Sequence, residues 1–259
     1  MSRGFKPTTM GQKRKLAIQG SIAGNKAQAR QRRLASKRRS ATVTMLRQMG
    51  EKKGVDQALT TNPVLDTTNT NANIYVANLI EPGTGSYNRV GRKLNLQSLR
   101  VRGIANLSTN FGSTANNLDG NVLRMVVVWD KQPSGVLPVF NAIFGTTTQA
   151  GTEATQYLDP IRYDNMDRFQ ILRDTVIPLV PQAPGGTGGT ENFVRVRQPF
   201  DEFIQLGGRE CVYSGQSSPC TIADISSGAL YVIFRALENT ANCFINISDD
   251  SFCRLRYTD

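Results

Sequence analysis
The chain has 259 residues and 39% hydrophobic side chains, enough for one large all-β domain plus a tail or for two small domains. Its formal net charge of +11 points to an acidic polymer or surface as partner. No stretch of about 18 apolar residues occurs, so no membrane-spanning helix is expected, and the basic N-terminus lacks the apolar core of a secretory signal. The absence of histidine removes Ser-His and Cys-His nucleophile pairs, histidine bases and most catalytic zinc sites.

The distribution of charge is more informative than its sum. Residues 1–53 carry 15 Lys/Arg and one acid, Glu51, a net +14. The other 206 residues carry 16 Lys/Arg and 19 Asp/Glu, a net −3. A charged arm is thus attached to an ordinary domain. The arm is Arg-rich and acid-poor, as mitochondrial transit peptides also are.

In residues 1–40 the apolar Leu16, Ile18, Ile22 and Leu34 are scattered among Gly, Gln, Ala, Lys and Arg. They bury too little surface to offset the entropy of ordering, so a disordered basic arm is expected. Its cations Lys13, Arg14, Lys15, Lys26, Arg30, Arg32, Arg33, Lys37, Arg38 and Arg39 are the candidate nucleic-acid ligands. Such a cluster also suits nuclear targeting.

Residues 41–60 read as a short helix and linker. Ser40 is placed to cap the helix, Gly50 to end it, and Thr42, Met45, Leu46 and Met49 share one face.

Residues 61–259 read as the shell of a β domain. Eight strands are expected, at Asn73–Ile80, Arg92–Leu107, Asn121–Lys131, Arg168–Pro178, Asn192–Leu206, Arg209–Tyr213, Ala229–Leu237 and Ser251–Tyr257. Eight strands with few helices argue for a sandwich, barrel or jelly roll. Val194-Arg195-Val196-Arg197 and Cys253-Arg254-Leu255-Arg256-Tyr257 alternate apolar and basic residues. The apolar phase slips between Leu96 and Leu99, so a β-bulge is expected within Gln97-Ser98.

Long loops rich in Gly, Thr, Asn and Ala are expected at Gly83–Asn88, Thr109–Gly120, Thr146–Thr155 and Pro181–Thr190. The Gly-rich run at residues 184–190 lacks the lysine and the strand-loop-helix setting of a phosphate-binding loop, and reads as a flexible loop.

The pairs Arg100/Arg102, Arg195/Arg197 and Arg254/Arg256 lie on strand faces. They suit phosphate contact on an inner wall, or else exposed polar faces and inter-subunit ion pairs. Trp129 and Tyr87 are candidates for base stacking, although Trp129 ends an apolar strand and suits core packing better.

Asp159, Asp164 and Asp167, like Asp249 and Asp250, read as turn and cap residues rather than an acid-base pair. Cys211, Cys220, Cys243 and Cys253 show no zinc spacing and read as reduced thiols, with a Cys211–Cys220 bridge the alternative. No enzyme and no cofactor is expected.

Three segments carry a resemblance. The first is Gly91-Arg92-Lys93-Leu94-Asn95-Leu96-Gln97-Ser98-Leu99-Arg100-Val101-Arg102-Gly103. The second is Val126-Val127-Val128-Trp129-Asp130-Lys131-Gln132-Pro133-Ser134-Gly135, followed by Pro138, Phe140 and Phe144. The third is Asp167-Arg168-Phe169-Gln170-Ile171-Leu172-Arg173-Asp174. Their order behind a basic arm resembles the coat proteins of small circular single-stranded DNA viruses, of the geminivirus and circovirus kind.

The chain is also similar to the coat protein of the tobacco necrosis satellite virus. Arg38-Arg39-Ser40-Ala41-Thr42, Val101-Arg102-Gly103, Arg168-Phe169 with Ile171-Leu172, and the ending Tyr257-Thr258-Asp259 carry that similarity.

The resemblance implies an eight-stranded antiparallel jelly-roll sandwich. It implies a homo-oligomeric shell of about 60 copies that packages single-stranded viral nucleic acid on inward-pointing arms. The arms would also engage the host nuclear import machinery. The host receptor or vector is not implied by any residue. The satellite similarity implies calcium at Asp259, against which the lysine of Val90-Gly91-Arg92-Lys93 stands, so no metal is expected. The remaining readings are an RNA satellite coat and a non-assembling nucleic-acid chaperone or transport protein.

Overall fold
The computed structural model describes residues 51–59, 64, 73–110, 120–147, 153–154, 157–180, 193–237 and 243–259. The basic arm and the expected helix at residues 40–50 lie outside the described residues. So do most of the loops after Thr109, Thr146 and Pro181.

Twelve strands are described: β1 (Lys52–Ala58), β2 (Ile74–Val76), β3 (Lys93–Asn110), β4 (Asn121–Asp130), β5 (Thr146–Thr147), β6 (Glu153–Ala154), β7 (Phe169–Leu179), β8 (Phe193–Tyr213), β9 (Ile225–Ser227), β10 (Ala229–Ala236), β11 (Cys243–Ile247) and β12 (Phe252–Thr258). A six-stranded sheet runs β1-β12-β3-β8-β9, with β11 also paired to β3. A four-stranded sheet runs β2-β10-β4-β7, and β5 with β6 forms a small third one. All the strand pairs are antiparallel, and the fold is all-β and jelly-roll-like.

The strand count differs from the expected eight. Asn192–Leu206 and Arg209–Tyr213 are one strand, β8, and five further strands appear. Gly207-Gly208 lies between those two expected strands, and both glycines take positive φ, 65° and 74°. The pair instead sits opposite the expected bulge: β3 skips from Leu96 to Ser98 while β8 skips from Arg209 to Gln205. Both strands kink there and pairing resumes beyond.

β1 falls where a linker is expected. It pairs along its whole length with β12, from Lys52↔Thr258 to Ala58↔Phe252. The body therefore begins at Glu51 rather than at residue 61, and Lys52 and Lys53 belong to it. The preceding 50 residues then hold 13 Lys/Arg and no acid.

The core lies between the two sheets. Leu94, Leu99, Val101, Leu107, Ile204 and Leu255 come from one sheet, and Leu123, Met125, Val127, Leu230, Val232 and Phe234 from the other. Burying each such side chain contributes roughly 1.5–3 kcal/mol against the entropy of ordering the chain. Trp129 is buried at 5% exposure and packs in the core, where its ring leaves no room for a Cβ at Gly228. Tyr87 is exposed.

β4 and β10 are buried on both faces, which explains their unbroken apolar runs. Their second face is covered by the segment after β4. Phe140 opens a one-turn helix, α1 (Phe140–Ile143), Phe144 follows it, and the two rings stack at 4.7 Å. Arg235 lies over Phe140 at 3.6 Å and Arg124 over Phe144 at 5.0 Å.

All four cysteines are buried free thiols. Burial pushes Cys211 and Cys253 up to about 12 and Cys220 up to about 11, so they stay protonated and unreactive at neutral pH.

Candidate nucleic-acid interface
The outward face of the six-stranded sheet gathers the arginine pairs. Register places its residues in rows across the strands. Gln205, Ser98, Arg256 and Gly54 form one row, and Phe203, Arg100, Arg254 and Asp56 the next. Asp201, Arg102, Phe252 and Ala58 follow, and further along Arg197 lies across from Asn106 and Asn246. The side chain of Arg195 lies outside the described set.

Strand alternation produces this face. In β12, Cys253, Leu255 and Tyr257 point into the core while Arg254 and Arg256 are exposed. In β3, Leu99 and Val101 point in and Arg100 and Arg102 out.

Two carboxylates are interleaved with the arginines. Arg100 grips Asp201 bidentately, with Nε donating to Oδ1 at 2.8 Å and Nη2 to Oδ2 at 2.5 Å. Arg102 Nε lies 3.9 Å from the same carboxylate, so one acid faces two guanidiniums. Arg254 holds Asp56 bidentately at 2.7 Å through both nitrogens. The Arg100 hydrogen bonds hold Asp201 below the usual carboxylate range, and those of Arg254 do the same for Asp56.

Neither Arg197 nor Arg256 forms an ion pair with a described carboxylate. Lys52 is exposed at the edge of the same face. Cations therefore outnumber acids here, on a body whose net charge is slightly negative. Exposed ion pairs contribute little to stability, so these guanidiniums are available to an incoming phosphate at small cost.

Sequence reasoning found Arg100, Arg102, Arg197, Arg254 and Arg256. It missed Lys52, counted with the arm, and Phe203 and Phe252, which share the face. Phe203 was legible: continuing the alternation of β8 past Phe200 puts positions 201, 203 and 205 outward. The arm candidates from Lys13 to Arg39 lie outside the described residues.

Asp259 does not fit a cation site. Its Oδ2 accepts the Lys53 ammonium at 2.8 Å and the Val90 N–H at 3.1 Å. The lysine expected against it, Lys93, pairs instead with Glu210 at 3.1 Å. Lys53 is buried, also donates to the Asn88 carbonyl, and is held above its ordinary pKa by Asp259. An ammonium at that oxygen opposes calcium there.

The acidic residues after α1 also have structural roles. Arg162 pairs bidentately with Asp164, and Asp159 is buried. No cluster of three or more metal-binding side chains occurs among the described residues.

Two motifs distant in sequence meet at the end of β4. Arg168 Nε and Nη2 donate to the two oxygens of Asp130 at 2.9 and 2.8 Å, and Tyr231 Oη donates to Oδ2 at 3.1 Å. Lys131 Nζ donates to the Asp167 carbonyl at 2.8 Å, and the Lys131 N–H to the Arg168 carbonyl at 3.0 Å. The Trp-Asp-Lys and Asp-Arg-Phe segments thus form one lock, centred on the buried carboxylate of Asp130. It fixes the segment that covers the four-stranded sheet.

No helix among the described residues is long and apolar enough to cross a membrane. A search of curated proteins finds no match. A family model described as the geminivirus coat protein/nuclear export factor BR1 family matches residues 3–257. That match spans nearly the whole chain, arm included, and supports a structural capsid role: the chain belongs to the geminivirus coat protein/nuclear export factor family.

Proposed function
We propose that the chain closes into a small icosahedral shell and packages single-stranded nucleic acid, circular DNA in the first instance. The observation that carries this reading is the division of charge within a coat-family chain. Thirteen Lys/Arg without one acid precede a body that gathers Arg100, Arg102, Arg197, Arg254 and Arg256 on a single sheet face.

The basic segment supplies charge neutralisation. Each cation that meets a phosphate releases condensed counterions, so binding is strong and falls steeply with salt. A shell of about 60 copies brings about 780 positive charges from residues 1–50, on the order of those needed for a kilobase of single strand. Lys13 to Arg39 supply neutralising charge in this reading, and Arg100, Arg102, Arg197, Arg254 and Arg256 phosphate contacts on the inner wall. The same basic clusters would serve nuclear import.

A second reading has one observation in its favour. The family's description pairs coat proteins with a nuclear export factor. A chain that shuttles nucleic acid without closing a shell would use the same arm and the same face.

Negative-stain microscopy of the purified full-length chain separates the two, with absorbance at 260 and 280 nm on the same fraction. Uniform closed shells with a nucleic-acid absorbance signature are expected. Small oligomers at every salt concentration and pH, with or without added nucleic acid, would replace the shell reading by the shuttle.

A further inference from the structure
We propose that Phe203 is a nucleobase-stacking site, the fixed point on the arginine face where a single strand lays one base flat. The inference rests on the nucleic-acid reading above and adds to it an interaction with bases rather than phosphates.

Phe203 is 59% exposed in the middle of the longest strand of the sheet. A phenylalanine on a solvent-facing sheet surface gains nothing from burial there. Its neighbours are not apolar: Arg100 lies directly across, with Arg254 beyond it, and Asp201 and Gln205 flank it along β8. Ser98, across from Gln205, is small and leaves the ring open on that side. The core of a subunit contact is mostly apolar and poor in aspartate, whereas this ring has Asp201 beside it and no apolar residue across from it on β3 or β12. An isolated ring among guanidiniums is the pattern that binds single strands, where rings take bases and cations take the phosphates between them.

The surroundings hold that arrangement in place. Asp201 grips Arg100 through two nitrogens, which fixes the guanidinium beside the ring. Arg102 shares the same carboxylate. One row further along, Phe252 sits across from Arg102, half-buried, with the Arg254 guanidinium 5.8 Å from its ring centroid. Two rings, Phe203 and Phe252, thus share one face with Arg100, Arg102, Arg254 and Arg256. The ligand class is a single-stranded nucleic acid of either sugar, since every base offers a flat face.

The test uses the dissociated full-length chain with two oligonucleotides of equal length, one of thymidines and one abasic. Wild type is expected to bind the thymidine strand more tightly than the abasic one. Phe203→Ala should weaken thymidine binding about tenfold, within the range for removing one stack, and leave abasic binding unchanged. Phe203→Trp should restore thymidine binding, and its new indole emission should be quenched by the thymidine strand but not by the abasic one. The buried Trp129, the only natural tryptophan, gives a constant background.

Equal thymidine binding by wild type and Phe203→Ala, with no quenching in Phe203→Trp, would overturn the stacking site while leaving the nucleic-acid reading intact. Loss of shell formation in Phe203→Ala with an unchanged thymidine-to-abasic ratio would also overturn it and make the ring part of a subunit interface. Failure of wild type to bind either strand at low salt would remove the underlying reading as well.

Discussion

The outward faces of the two sheets both carry arginines and put them to opposite uses. On the four-stranded sheet, Arg124 and Arg235 stand directly across from each other and are buried. The like charges are tolerated because each guanidinium has fixed surroundings. Arg124 donates to Asp174 at 3.1 and 2.7 Å and to the Tyr157 and Asp159 carbonyls, and Arg235 stacks on Phe140. On the six-stranded sheet, Arg100 and Arg254 also stand across from each other, but exposed and held only by surface carboxylates. One set of arginines glues a covering segment to its sheet, and no described segment lies over the other. Counting arginines cannot distinguish them; what lies over each sheet does.

The strongest way to break the comparison is to cut the lock that holds the covering segment. Asp130→Ala leaves Arg168 partly buried without its carboxylate and removes the acceptor of Tyr231. It should cost about 3–5 kcal/mol in denaturant unfolding. A loss below about 1 kcal/mol would mean that the cover is held elsewhere.

On the open face the expectation reverses. Arg102→Gln combined with Arg256→Gln removes two exposed cations and should leave the unfolding midpoint unchanged. The slope of log affinity against log salt for a single strand should flatten by about 0.7 for each phosphate no longer neutralised. A large fall in unfolding midpoint would show these arginines to be structural, like those of the covered face.

pH gives a smaller effect with a definite sign. Asp56, Asp164, Asp201 and Asp224 are held below the usual carboxylate range by arginine or backbone and hydroxyl donors. Their contribution is complete above about pH 4, the unfolded carboxylate value, and is lost as pH falls through their lower folded values. Lys53 is raised, so its contribution is present below the ordinary lysine value of 10.5 and is lost as pH climbs through the higher folded value. With no histidine present, stability measured by denaturant titration should be flat from about pH 5 to pH 8. A transition inside that window would require a group other than these.

Much of the fold was legible because alternation is a local signal. β12 shows its buried and exposed residues in five consecutive letters, and the bulge at Gln97 shows as a slip of phase. What was hidden depends on partners distant in sequence. β1, Lys-Lys-Gly-Val-Asp-Gln-Ala, has almost no apolar pattern, and it is a strand because β12 offers it a ladder. Gly207-Gly208 separates two expected strands until the bulge of β3 is placed opposite. β11 alternates correctly but is short and lies just past the residues at 238–242. At the candidate interface the arginines were legible and their setting was not. Asp201 shows as a partner of Arg100 and Arg102 only once β3 and β8 pair, and Phe203 is notable only once its neighbours prove to be charged. The ion pair of Lys53 with Asp259 joins the two ends of the body, which no local pattern reports.

The most direct test of the central claim compares the full-length chain with one lacking residues 1–40, which retains every described strand. Both are purified from the same expression host and measured by electron microscopy and by absorbance at 260 and 280 nm. The account predicts nucleic-acid-filled shells from the full chain, and from the shortened chain shells or oligomers nearly free of nucleic acid. Shells from the shortened chain with an undiminished nucleic-acid load would contradict it and leave the sheet face, not the arm, as the principal binder of the genome.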